Sequence, residues 1–100
     1  MIQQTNRITA EIAEELAVRA LQYVAGDQEL LGRFMALTGI MPDDLRKIAD
    51  SAEFRTGLLE FIISDEPTLL AFAASIGEKP QIIAGACAVL SGEAEESAGQ

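Results

Sequence analysis

Apolar residues return at helical spacing from the start of the chain, with Ile8, Ile12, Leu16, Ala20, Leu21 and Val24 falling on one side of a helix. Thr9 stands where a capping hydroxyl is needed, and Glu11, Glu14 and Glu15 lie near the positive end of the helix dipole, so a first helix is predicted over Ala10 to Ala25. Asp27 is a good N-cap for a second helix with the stripe Leu30, Leu31, Phe34 and Leu37, and Gly39 can take the left-handed conformation that closes it. Pro42, whose missing N–H is not needed in a first turn, opens a short third helix with Asp43 and Asp44 ahead of Leu45, Ile48 and Ala49. Asp50 and Glu53 have capping-box spacing, which predicts a fourth helix burying Phe54, Leu58, Phe61 and Ile62. Asp65 caps a fifth with Leu69, Phe72, Ala73 and Ile76, closed by Gly77, and Pro80 starts a sixth that should end near Ser91 and Gly92. The remainder, EAEESAGQ, has no apolar anchor and is expected to be a disordered acidic tail over residues 93–100. No stretch alternates long enough to be a strand. The expectation is one all-α domain over residues 1–92, six short helices in a compact bundle.

The punctuation repeats. Shifting the chain by 38 positions places Glu15 on Glu53, Asp27 on Asp65, Leu31 on Leu69, Phe34 on Phe72, Gly39 on Gly77 and Pro42 on Pro80. Two pseudo-repeated three-helix units would put matches at caps, stops and one helix face; generic helix signals in a Leu- and Ala-rich chain are the competing account. Stacked arrays need at least about three repeats, so two copies are expected to close around a shared core. Within the sixth helix, Gln81 to Leu90 carries no charge on any face, so it must be buried on most sides, either centrally or in a seam between two copies.

Composition narrows the function. Hydrophobic residues make 49% of the chain but only five are aromatic and none is Trp, so the core is mostly Leu, Ile and Ala. A net charge of -9 repels phosphate backbones and anionic headgroups, which argues against nucleic acid and membrane as partners. The opening MIQQTNR lacks the basic start and apolar run of a leader, and Pro80 to Gly92 is too short to span a bilayer, so a cytoplasmic protein is expected.

The runs RFMALTG (Arg33 to Gly39) and SDEPTLLAFA (Ser64 to Ala73) are the most distinctive pieces of a longer likeness covering about Ala17 to Leu90. Over that span the chain resembles a small bacterial helical family catalogued as domain of unknown function 3572. The resemblance implies a compact helical protein of the bacterial cytoplasm. It brings with it no catalytic residue, cofactor or partner.

Candidate chemistry is sparse. There is no His, and the single Cys87 lies in the apolar run IIAGACAVL, where burial would raise its pKa and blunt its reactivity. Gly26, Gly32 and Gly39 do not form a phosphate loop, and the acidic pairs Glu14-Glu15, Asp43-Asp44 and Asp65-Glu66 sit at helix starts, where capping and the dipole account for them. The calcium-loop order is missing too, so no catalytic residue, cofactor or metal is expected. Glu15 with Arg19 and Glu29 with Arg33 have ion-pair spacing; the alternative for Arg33 is to brace the halves by facing Asp65 and Glu66. Met35, Ile40 and Met41 place flexible apolar side chains at the corner between the second and third helices, as a partner-binding patch, although Met41 is equally placed to staple the helix that Pro42 opens. The leading expectation is therefore a noncatalytic interaction module that binds another protein or itself. Its alternatives are an acidic antagonist imitating a charged polymer, and an enzyme built on carboxylates that converge in a pocket.

Overall fold

Thr9 opens α1 (Ala10–Ala25), its hydroxyl accepting the Ile12 N–H at 3.1 Å. In this computed structural model the backbone is described for residues 8–99 and the side chains for residues 8–92. Asp27 caps α2 (Gln28–Thr38), its carboxylate accepting the N–H groups of Glu29 and Leu30 at 3.0 and 3.2 Å. Gly39 ends that helix at φ 76°, a left-handed conformation that any side chain would strain. Pro42 begins α3 (Pro42–Ile48), and Asp44 accepts the Met41 N–H at 3.3 Å, which is half of a capping box because a Met side chain offers no oxygen for the reciprocal bond. Asp65 caps α5 (Glu66–Ile76), accepting the Thr68 N–H at 3.2 Å, and Gly77 closes it at φ 71°.

Two boundaries differ from those the sequence predicts. The cap of α4 (Ala52–Ile63) is Ser51, whose hydroxyl accepts the Phe54 N–H at 3.0 Å, rather than Asp50. Two adjacent residues carry capping oxygens, and Asp50 is turned outward to Arg55 at 3.4 Å, leaving Ser51 to make the bond. The last helix, α6 (Pro80–Gly99), runs through the expected stop at Ser91 and Gly92. Among the described glycines only Gly39 and Gly77 have positive φ, so Gly92 stays helical, and the Glu and Ala residues after it are good helix formers. The side chains of the expected acidic tail, residues 93–100, lie outside the described ones.

The six helices form an all-α bundle. Helix α6 is central: Ile83, Ala86, Cys87 and Leu90 are buried, and the helix packs across both α1 and α4, which also pack on each other. Helix α1 contributes the small residues Ala13, Ala17 and Ala20, which let backbones approach, and α4 contributes Leu58, Leu59 and Ile62. A Cβ at position 85 would overlap the tip of Ile8, so Gly85 makes room for the residue leading into α1. Outside this trio, α2 is held through Phe34, whose ring lies edge-on to Phe54 and Phe61 of α4 at 5.9 and 5.2 Å. The Phe72 ring of α5 meets Tyr23 of α1 at 5.3 Å.

The 38-residue offset carries the bounds of α2 onto those of α5 and the start of α3 onto that of α6. The third helices do different work, however. Helix α3 is seven residues long and buries no side chain, whereas α6 spans 20 residues and buries Ile83, Ala86, Cys87 and Leu90.

Candidate functional site

The corner between α2 and α3 is built by a tight stop followed at once by a new start. Thr38 donates its hydroxyl to the Phe34 carbonyl at 2.8 Å and accepts the Ile40 N–H at 3.2 Å, and Gly39 reverses the chain between them. The three residues singled out by sequence are not equivalent here. Met35 is half-buried, and Ile40 is half-buried against the core, so it anchors the turn. Met41 is 60% exposed at the N-cap of α3. Leu37, expected on the buried stripe of α2, is instead 74% exposed, the most exposed of the large apolar side chains. It sits in the last turn of α2, beside the stop, where no helix covers it as α4 covers Phe34. Its position between Met35 and Ile40 was the available signal that it belongs with the corner.

The charged residues sort into structural roles. Glu15 and Arg19 pair at 3.3 Å as their spacing predicts, whereas no ion pair joins Glu29 to Arg33 among the described residues. Arg33 shares an open cleft of about 240 Å³ with Tyr23, Asp27, Asp65 and Thr68, between the starts of α2 and α5. There Asp65 has its pKa lowered, first by the Thr68 hydroxyl and then by the Thr68 N–H, against desolvation, with the charge of Arg33 the least of the four influences. A carboxylate held as its anion caps a helix and is a poor proton donor. Among the described residues no ion pair or hydrogen bond joins Arg33 to Asp65, so the expected brace is not formed by direct contact.

A second cleft of about 290 Å³ lies between α1 and the end of α5, floored by Leu16 and Ile76 and edged by the Glu15–Arg19 pair and Glu78. Its two carboxylates are exposed. Among the described residues no group of three or more Cys, Asp and Glu side chains is placed to hold a metal ion, and no helix is long and apolar enough to cross a membrane. A cation with a structural role that the sequence does not reveal is Arg55, which binds Ala49, Asp50 and Glu14 together and whose partners are too scattered along the chain to be seen in a spacing pattern.

Cys87 is buried on α6, its thiol 3.9 Å from the Thr56 carbonyl. Burial pushes its pKa up, and the charge of Glu60 pushes the same way. A thiol pKa raised by folding contributes stability that is complete below the ordinary thiol range and is lost as pH rises through and above it. The native protein should react with iodoacetamide at pH 8 on the order of 100-fold more slowly than the urea-unfolded chain, because a buried thiol reacts only through opening. Equal rates would show that Cys87 is an accessible nucleophile. The neighbouring Thr56 hydroxyl is buried with no hydrogen-bond partner among the described residues, a small uncompensated desolvation inside the core.

These features define a small all-α bundle with capped helix starts and an Arg55 clamp, whose two most exposed large apolar side chains among the described residues, Leu37 and Met41, lie at one corner. The chain belongs to the family described as protein of unknown function DUF3572, whose model matches residues 10–93. It matches no curated protein and no solved structure.

Proposed function

We propose that this protein is a noncatalytic interaction module that engages another protein through the corner between α2 and α3. One observation carries the reading: the two most exposed large apolar side chains, Leu37 and Met41, flank the turn into α3, the helix that buries no side chain of its own. Exposed apolar groups on a lightly anchored segment gain burial when a partner covers them, and thioether flexibility lets Met41 adapt to the covering surface. Its one cysteine suits a reducing compartment, in keeping with the bacterial cytoplasm. The acidic side chains are distributed over the starts of α1, α2, α3, α4 and α5, which speaks against imitation of a charged polymer by one concentrated face.

The test is crosslinking capture from native lysate with the wild type, Leu37→Asp and Met41→Asp in parallel. Each substitution places a carboxylate where an apolar contact is expected, and recovery of a specific partner should fall about tenfold or more. Unchanged recovery with both variants removes the corner as a binding surface.

A further inference from the structure

We infer that residues 40–50, α3 with its flanking turns, form a strap that lifts from the folded bundle as one unit, with Arg55 as its latch; the inference stands apart from the proposed binding role. Helix α3 has seven residues, too few to hold a helix by itself in water, so it keeps its form only while docked. Its docking is light. Ile40, Leu45, Ile48 and Ala49 rest half-buried on the core, no side chain of α3 is fully buried, and no helix packs extensively along it. By contrast α1, α4 and α6 pack on one another. Few buried apolar contacts mark the part of a fold that opens at the lowest free energy.

Both neighbouring helices close without α3. The Gly39 N–H donates to the Met35 carbonyl at 2.8 Å and ends α2, and the Ser51 hydroxyl caps α4 through the Phe54 N–H. The chain between these two stops can therefore leave without unwinding either helix, with left-handed Gly39 at one end and the turn before Ser51 at the other. Among the described residues, the side-chain hydrogen bonds and ion pairs that reach the strap from outside are the Thr38 bond to its first N–H and those of Arg55 at its last two residues. Arg55 donates Nε–H to the Ala49 carbonyl at 3.2 Å and reaches Asp50 at 3.4 Å. Asp50 is fully exposed, so the Ala49 carbonyl is the stronger half of the catch. Glu14 of α1 stands 3.6 Å from the other terminal nitrogen of the guanidinium, which keeps the latch in place when the strap lifts. Lifting turns Ile40, Leu45 and Ile48 from the core to solvent while α1, α4 and α6 stay packed.

Amide hydrogen exchange of the full chain, followed by NMR and corrected for intrinsic rates, tests this. In the wild type, the Ile48 and Ala49 amides should exchange at least about 100-fold faster than those of Ala86 and Cys87 on α6, and about 1 M urea should speed only the α6 amides. Equal corrected rates in α3 and α6 would mean that α3 opens only with the whole molecule, and the strap is then overturned. Arg55→Ala should speed the α3 amides about tenfold by removing the catch. Arg55→Lys carries the same comparison should the alanine variant unfold, with an increase of about threefold or more. Phe72→Leu, which weakens the core on α5, should speed the α6 amides and leave those of α3 within about twofold of the wild type. If Phe72→Leu speeds both helices equally, the opening is global and the strap falls. If α3 opens alone but neither Arg55 variant changes its rate, Arg55 is not the latch and that part of the inference is overturned.

Discussion

Phe34→Ala is expected to remove about 3–5 kcal/mol of folding stability, the range for emptying a buried aromatic site. Phe34 is 2% exposed and sits edge-on to both Phe54 and Phe61, so its loss leaves two rings of α4 without their partner. Only Leu30 and Phe34 of α2 are buried, with Leu31 partly buried against the core, so Phe34 is the largest anchor of this short helix. Against a total of about 5–15 kcal/mol for a domain, such a loss leaves the variant close to its unfolding threshold. Urea denaturation followed by circular dichroism measures it. A destabilisation below about 1 kcal/mol would mean that α2 is held by something other than this aromatic cluster. Phe34→Leu, which keeps most of the volume, should recover more than half of the loss.

Arg55→Ala should cost about 1.5–3 kcal/mol, the second largest effect expected. The guanidinium donates Nε–H to the Ala49 carbonyl at 3.2 Å and reaches Asp50 at 3.4 Å and Glu14 at 3.6 Å, with only 19% of the side chain exposed. These contacts tie α1, the turn after α3 and α4 to one group. The ion pairs are the lesser part, since Asp50 is fully exposed and Glu14 about half exposed, and solvent screens such pairs to a few tenths of a kcal/mol each. Lys can donate to the Ala49 carbonyl or to a carboxylate, but its compact ammonium lacks the fork that serves the carbonyl and both carboxylates together. Calorimetric unfolding of Arg55→Ala and Arg55→Lys separates these contributions. If Lys restores full stability, the clamp works by charge alone and the geometric account is wrong.

Legibility from the sequence tracks the range of the interactions involved. The bounds of α1, and the left-handed glycines that end α2 and α5, follow from residues a few positions apart, and those were readable. Asp50 and Ser51 show where local rules become ambiguous, since both residues can cap and only the pull of Arg55 on Asp50 separates them. Leu37 has the spacing of a buried stripe, and its exposure depends on where neighbouring helices end, which periodicity does not encode. At the corner, adjacency groups Met35, Ile40 and Met41 without telling them apart, yet Ile40 packs against the core and Met41 alone of the three is exposed. The Arg55 clamp, whose Glu14 contact crosses from α4 to α1, leaves no mark in local sequence at all.

The central place of α6 also sets an order of assembly. A ribosome must deliver every residue before Pro80 ahead of the helix around which α1 and α4 close. The faces of α1 and α4 that α6 covers therefore leave the exit tunnel unpaired and stay so until α6 follows them. Chains released early, lacking this segment, are natural substrates for chaperones and proteases.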